Sequence, residues 1–177
     1  MPEEDAEVLA RARAGDPAAL EVLVARHLSD VYDVAARVLG DRDLARDAAQ
    51  DAFVNALGAL DRFRGDASFR TWLLRIAVNA ARSLARREAR RREVSLLAVD
   101  GLPDGGPDPA AQTSLRAEAG RVEAVLARLP EKQRLAVTLR VYQGLSFRDV
   151  GEAIGCSEGA ARVNYHHGIK RLRELLR

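Results

Sequence analysis

A single cysteine in 177 residues rules out a disulfide framework and any multi-cysteine metal site, and it suits a reducing compartment. No apolar run approaches the ~18–20 residues that span a bilayer, so membrane insertion is not expected. The opening residues, MPEEDAEVLARARAGD, lack the basic-then-apolar layout of a signal peptide, and a cytoplasmic location is the expectation. Glycine-rich phosphate loops and triad spacings are missing, which argues against an enzyme; no cofactor or metal is expected. His166 and His167 are adjacent, so on a helix they point about 100° apart and cannot chelate one ion. Aromatic residues form 5% of the chain, and strand-like alternation of useful length is missing as well.

Alanine and arginine are what the chain has in quantity. Of the 47% hydrophobic residues, 32 are alanine, a strong helix former that buries little area, so small helix-rich cores are expected. Arginine outnumbers lysine by 26 to 2 within a net charge of +2. The arginine fork suits phosphates and guanine edges, although a GC-rich genome produces the same bias.

From Asp5 to Glu93 the pattern is helical. Asp16-Pro17 opens a helix as cap and first residue, with Leu20, Val24, Leu28, Val31, Ala35 and Val38 in one stripe and Gly40 at the end. Asp41 or Asp43 caps the next helix, which carries Leu44, Ala48, Ala52 and Ala56 on one side. Residues 61–68, DRFRGDAS, form a polar loop. Ser68 or Thr71 then starts a long helix with Phe69, Leu73, Ile76, Ala80 and Leu84 inward, and its far end, residues 82–93, carries a charge of +4. His27 reads as packed or hydrogen-bonded near the apolar edge of its helix. Residues 99–113 hold three Pro, three Gly and three Asp, a composition that cannot supply a core. Helix resumes near Ser114 with Val122, Val125, Leu126 and Leu129 inward. The expectation is an all-α chain of two small helical domains, 1–93 and 114–177, joined by a flexible linker at 94–113 that lets them dock separately on one large partner.

The sharpest local signal is LSFRDVGEAIGCSEGAA at 145–161. Ser146 caps a short helix with Asp149 at its third position, Gly151 permits close approach, Gly155 ends the helix and Ser157 caps the next. Cys156, in the turn, reads as a small core residue. This layout is a helix-turn-helix. On the second helix Tyr165, Gly168, Ile169, Leu172 and Leu176 fall with Ala161 in a sector of about 100°, the inward stripe. Arg162, Val163, His166, His167 and Lys170 fall opposite, where hydrogen-bonding groups and a methyl-sized contact can meet base edges. An ordinary solvated amphipathic helix is the lesser reading of the same face.

Four segments together resemble one family. DAAQDAF at 47–53, FRTWLLRIAVN at 69–79, LPEKQR at 129–134 and the helix-turn-helix stand in the order found in bacterial sigma-70 initiation factors. The two-domain layout resembles their extracytoplasmic-function group, which keeps regions 2 and 4 and replaces the middle domain with a tether. The resemblance implies a promoter-specificity subunit that binds core RNA polymerase at its clamp coiled coil and flap, recognises a duplex −35 element and a single-stranded −10 element, and assists promoter melting. Group members are commonly held by an anti-sigma protein.

The resemblance also assigns residues. Asp47, Gln50 and Asp51, with Phe53 nearby, correspond to the clamp-binding helix. The loop at 61–68 with Phe63 and Arg64, then Trp72, Arg75, Asn79 and Arg82, correspond to the −10 surface; Trp72 reads equally as core. Arg162, Val163, Asn164, His166, His167 and Lys170 correspond to the −35 surface, with Asn164 at its edge. Two departures stand out: Ser83 replaces a frequent Asp, and His166-His167 interrupts a segment that is usually more arginine-rich. The alternatives are a stand-alone helix-turn-helix regulator, which gives no reason for the 69–79 segment, and an enzyme with a nucleic-acid-binding tail, which turnover without polymerase would support.

Overall fold

A computed structural model describes residues 3–98 and 124–176. Among these, every regular element is helical. The Pro/Gly/Asp segment at 99–113 and the helix restart near Ser114, with Val122, lie outside the described residues.

The N-terminal group comprises α1 (Glu3–Arg13), α2 (Pro17–Leu39), α3 (Arg42–Gly58), a 3-10 turn (Leu60–Arg62) and α4 (Phe69–Ala98). Local chemistry sets its boundaries. Asp16 accepts from the Ala18 amide at 2.9 Å with Pro17 behind it, and Gly40 closes α2 in the left-handed conformation at φ 68°. Asp41 accepts from the Asp43 and Leu44 amides at 2.9 and 3.0 Å, and Ser68 accepts from the Thr71 amide at 3.1 Å. Helix α4 continues through Ala98, past the expected start of the linker at 94.

Small residues let α2, α3 and α4 approach closely. Ala45, Ala48, Ala52 and Ala56 of α3 are fully buried, and Phe69, Leu73 and Leu74 of α4 fill the space beside them. Each of these larger side chains contributes roughly 1.5–3 kcal/mol on burial. The expected stripe on α2 is displaced over its first half. Ala19, Leu23 and His27 are buried, whereas Leu20 and Val24 are half-buried and Leu28 is 50% exposed. Helix α2 meets α1, α3 and α4, so its covered face is turned by one residue, about 100°, from the simple stripe. His27 packs its ring 5.4 Å from that of Phe69.

The C-terminal group begins with a helical turn at 124–127, continues through α5 (Glu131–Val137), a π-helical turn (Thr138–Tyr142), α6 (Phe147–Ile154) and α7 (Glu158–Leu175). Ser146 accepts from the Asp149 amide, Gly155 ends α6 at φ 71°, and Ser157 accepts from the Ala160 amide. A Cβ on Gly151 would stand 2.8 Å from the Cys156 carbonyl oxygen, so the turn requires glycine there. Leu126 and Leu129 pack with Val137 against Tyr165, Ile169 and Leu172 of α7. Leu176, expected in that inward stripe, lies past the end of α7 and is 65% exposed.

The two groups are not held apart. Leu139, Leu145, Val150, Ala153 and Ile154 share one buried cluster with the side chains of α4. Arg134 donates to the Val38 carbonyl at 3.0 Å, and Arg37 lies 4.1 Å from the centre of the Tyr142 ring. Burial lowers the pKa of Arg134, and the nearby Glu131 carboxylate partly opposes that shift.

Candidate nucleic-acid interface

The second helix of the helix-turn-helix turns its polar face outward. Ala161 and Gly168 are buried, Tyr165 and Ile169 half-buried, and Arg162, Val163, His166, His167 and Lys170 exposed. Arg162 is oriented rather than loose. Its guanidinium donates to Glu158 at 2.9 Å and lies 5.0 Å from the centre of the Phe147 ring. His166 meets the Tyr165 ring edge-on at 5.3 Å. Asn164 stands differently: it is half-buried and its amide donates to the Ala160 carbonyl at 2.8 Å. That bond uses one of the two hydrogens of its side-chain amide.

A second polar face runs along α4, where Trp72, Arg75, Asn79 and Arg82 recur at helical spacing. Trp72 is half-buried, packed 5.2 Å from Phe63 and 5.7 Å from Phe69, with part of its ring open to a cavity of about 610 Å³. That cavity lies between the 61–68 loop and α6, and Arg64, Arg75, Arg148 and Glu152 line it. Phe63 is 7% exposed, so it supports Trp72 from below. Asn79 is exposed. Arg75 pairs with Glu152 at 2.7 Å and Arg82 with Glu131 at 2.6 Å, both partners belonging to the C-terminal group.

The outer side of α3 presents Asp47, Gln50 and Asp51, all exposed, with Asp51 paired to Arg87 at 3.1 Å. Phe53 is buried but lines an apolar groove of about 680 Å³ between α2 and α3, together with Val24, Leu28, Tyr32 and Val54. Leu28 and Val54 are 50% and 65% exposed. Spacing places Leu28 in the core stripe, which the structure corrects, and Val54 carries no signal beyond its place beside Phe53.

Known proteins fall into register with this architecture. Residues 23–91 match sigma-70 region 2, and residues 119–172 match sigma-70 region 4. The chain is 34% identical over 169 residues to the RNA polymerase sigma-H factor of Pseudomonas aeruginosa, spanning 90% of this chain and 87% of that protein. Against the extracytoplasmic-function sigma-E factor of Escherichia coli strain K12 it is 33% identical over 168 residues, spanning 89% and 86%. The chain belongs to the sigma-70 family, in its extracytoplasmic-function group.

Solved structures share the fold. CnrH, in complex with the cytosolic domain of CnrY, superposes with a TM-score of 0.72 at 29% identity over 97% of this chain and 96% of that one. RpoE of Bartonella quintana, in complex with the anti-sigma factor NepR, superposes with a TM-score of 0.72 at 24% identity over 88% and 95%. As a sigma factor, the chain works with core RNA polymerase and promoter DNA to direct the initiation of transcription. Among the described residues, no helix is long and apolar enough to cross a membrane.

Proposed function

We propose that the three outward surfaces divide the work of this sigma factor. The outer face of α7 reads the −35 duplex in the major groove: Arg162, Val163, His166 and His167 toward base edges, Lys170 toward phosphate. The α4 face takes the separated −10 strand. Arg75 and Arg82 hold phosphates, Asn79 contacts a base, and Trp72 with Arg64 edges the cavity that receives an unstacked one. The exposed acids of α3 and the apolar groove beside them dock on the clamp coiled coil of core polymerase, with the C-terminal domain meeting the flap. Charge complementarity directs the encounter, and the groove supplies apolar area.

The polymerase performs the chemistry in this reading, so the chain carries no catalytic residue and acts in the cytoplasm. An anti-sigma protein is a further expected partner, since one structural neighbour, RpoE of Bartonella quintana, was solved in complex with the anti-sigma factor NepR. The observation that carries the proposal is the unburied Arg162/Val163/His166/His167 face on the second helix of a helix-turn-helix.

Reconstitution tests it. Core polymerase plus the chain initiates from genomic promoters that neither component uses alone, and the free chain binds the same duplexes only weakly. Tight sequence-specific duplex binding without polymerase, and no initiation with it, would favour the stand-alone regulator.

A further inference from the structure

Helix α1 ends against the loop that edges the cavity beside Trp72, and one side chain makes the junction. The Gly15 and Asp16 amides turn back onto the Ala12 and Arg11 carbonyls at 3.0 and 3.1 Å, which closes α1 and sets the direction in which Arg13 leaves it. The Arg13 guanidinium donates through Nε to the Leu60 carbonyl at 3.3 Å and through Nη2 to the Phe63 carbonyl. Its centre also lies 5.7 Å from the centre of the Phe63 ring. The two carbonyls belong to the end of the 3-10 turn, where the chain leaves helical geometry with acceptors still to satisfy. Leu60 and Phe63 stand 47 and 50 positions from Arg13, which itself precedes the segment matching region 2, beginning at residue 23.

We propose that Arg13 is a positioning residue for −10 recognition: it fixes the entry of the 61–68 loop, and with it the Phe63 ring beneath Trp72, in the arrangement that receives an unstacked base. The proposal rests on the assignment of this loop and of α4 to the −10 strand. Phe63 transmits the effect. Its ring lies 5.2 Å from that of Trp72 and 5.8 Å from that of Phe69, so a shift of the Phe63 backbone moves the floor under Trp72. The far end of the loop is fixed separately, by Ser68 accepting from the Thr71 amide at 3.1 Å. Between these two anchors Arg64, Gly65 and Asp66 are exposed. A loop held at both ends before DNA arrives loses less conformational freedom when it binds.

The chemistry at Arg13 suits holding the loop rather than holding DNA. A planar fork bonds two carbonyls three residues apart at once, a geometry that a single ammonium does not reproduce. Two hydrogen bonds and a ring contact engage its guanidinium, whereas Arg64 lines the cavity itself. Arg11, two residues earlier, pairs instead with Asp16 at 2.6 Å in the turn between α1 and α2, so its removal is a matched loss of charge away from the loop. Arg13 is exposed as a whole residue, and its truncation opens no core cavity. Leu9 and Ala12, both buried, still hold α1 to the fold.

The test is transcription of a promoter library randomised at both elements, by core polymerase carrying the full chain with single substitutions. Arg13→Ala should lower −10 discrimination about three- to tenfold and leave −35 preference and core-polymerase affinity at parent values. Arg13→Lys keeps the charge without the fork and should still lose about twofold or more. Arg11→Ala should match the parent at both elements. In the free chain Trp72, the single tryptophan, reports the loop base directly. Its emission should move to longer wavelength and its quenching by acrylamide should rise in Arg13→Ala, with Arg11→Ala unchanged. Unchanged −10 preference in Arg13→Ala, equal losses at both elements, or full recovery by lysine overturns the proposal. Arg64→Ala separates the two failures. If it too leaves −10 preference unchanged, the assignment of the loop to the strand is wrong; if it alters that preference while Arg13→Ala does not, the positioning role alone is lost.

Discussion

Gly168 sits where α7 crosses α5, and a Cβ there would stand 2.7 Å from the Val137 methyl and 3.1 Å from the Gln133 carbonyl oxygen. Gly168→Ala should therefore destabilise the chain by about 1–3 kcal/mol through overpacking. Gly159→Ala, on the same helix with nothing within 4 Å of the added atom, should leave stability equal or slightly higher. Thermal melting of the two variants checks the pair; equal melting temperatures would contradict the close crossing. Residue-level features were legible in the sequence where they depend on near neighbours. Ser146, Ser157, Gly40 and Gly155 cap their helices through partners a few positions away, and each was readable as a cap. The Phe147 platform under Arg162 joins different helices, so no local spacing announces it.

At the scale of elements, helix identity followed from periodicity, but the buried face did not always follow. On α3 a single apolar side faces its neighbours, and Ala48, Ala52 and Ala56 were correctly placed. On α2 three helices impose a broader contact, which moved Leu28 from the expected core to the rim of a groove. The π-helical turn at Thr138–Tyr142 had no sequence signal, since no glycine or proline marks it. Asp47→Lys/Asp51→Lys on α3 tests the clamp surface. Both carboxylates are exposed, and the Asp51–Arg87 pair is half in solvent, so thermal stability should move by only about 0.5 kcal/mol. Affinity for core polymerase should fall about tenfold, because charge reversal at a complementary interface opposes docking. Binding measured by fluorescence anisotropy decides the matter, and unchanged affinity would remove the acids of α3 from the interface.

For the whole molecule, all-helical architecture and a division into two helical groups were legible from alanine content, helical periodicity and the Pro/Gly/Asp segment. Their mutual packing was not, because it depends on pairs such as Arg75–Glu152, separated by 77 positions and without a spacing rule. The central claim is that the faces of α7 and α4 read different promoter elements for one polymerase. It is tested most directly by transcribing a library randomised at both elements with polymerase carrying Arg162→Ala or Asn79→Ala. Asn79 is exposed and outside the paired arginines, so its loss does not disturb the ion pairs between the two helical groups. Arg162→Ala should relax preference at one −35 base pair by about 1–3 kcal/mol, the range for an arginine–guanine contact, and leave −10 preference unchanged. Asn79→Ala should do the reverse, altering −10 preference alone. If both variants keep the parent preferences at both elements, or each alters the other's element, the two-surface account is contradicted.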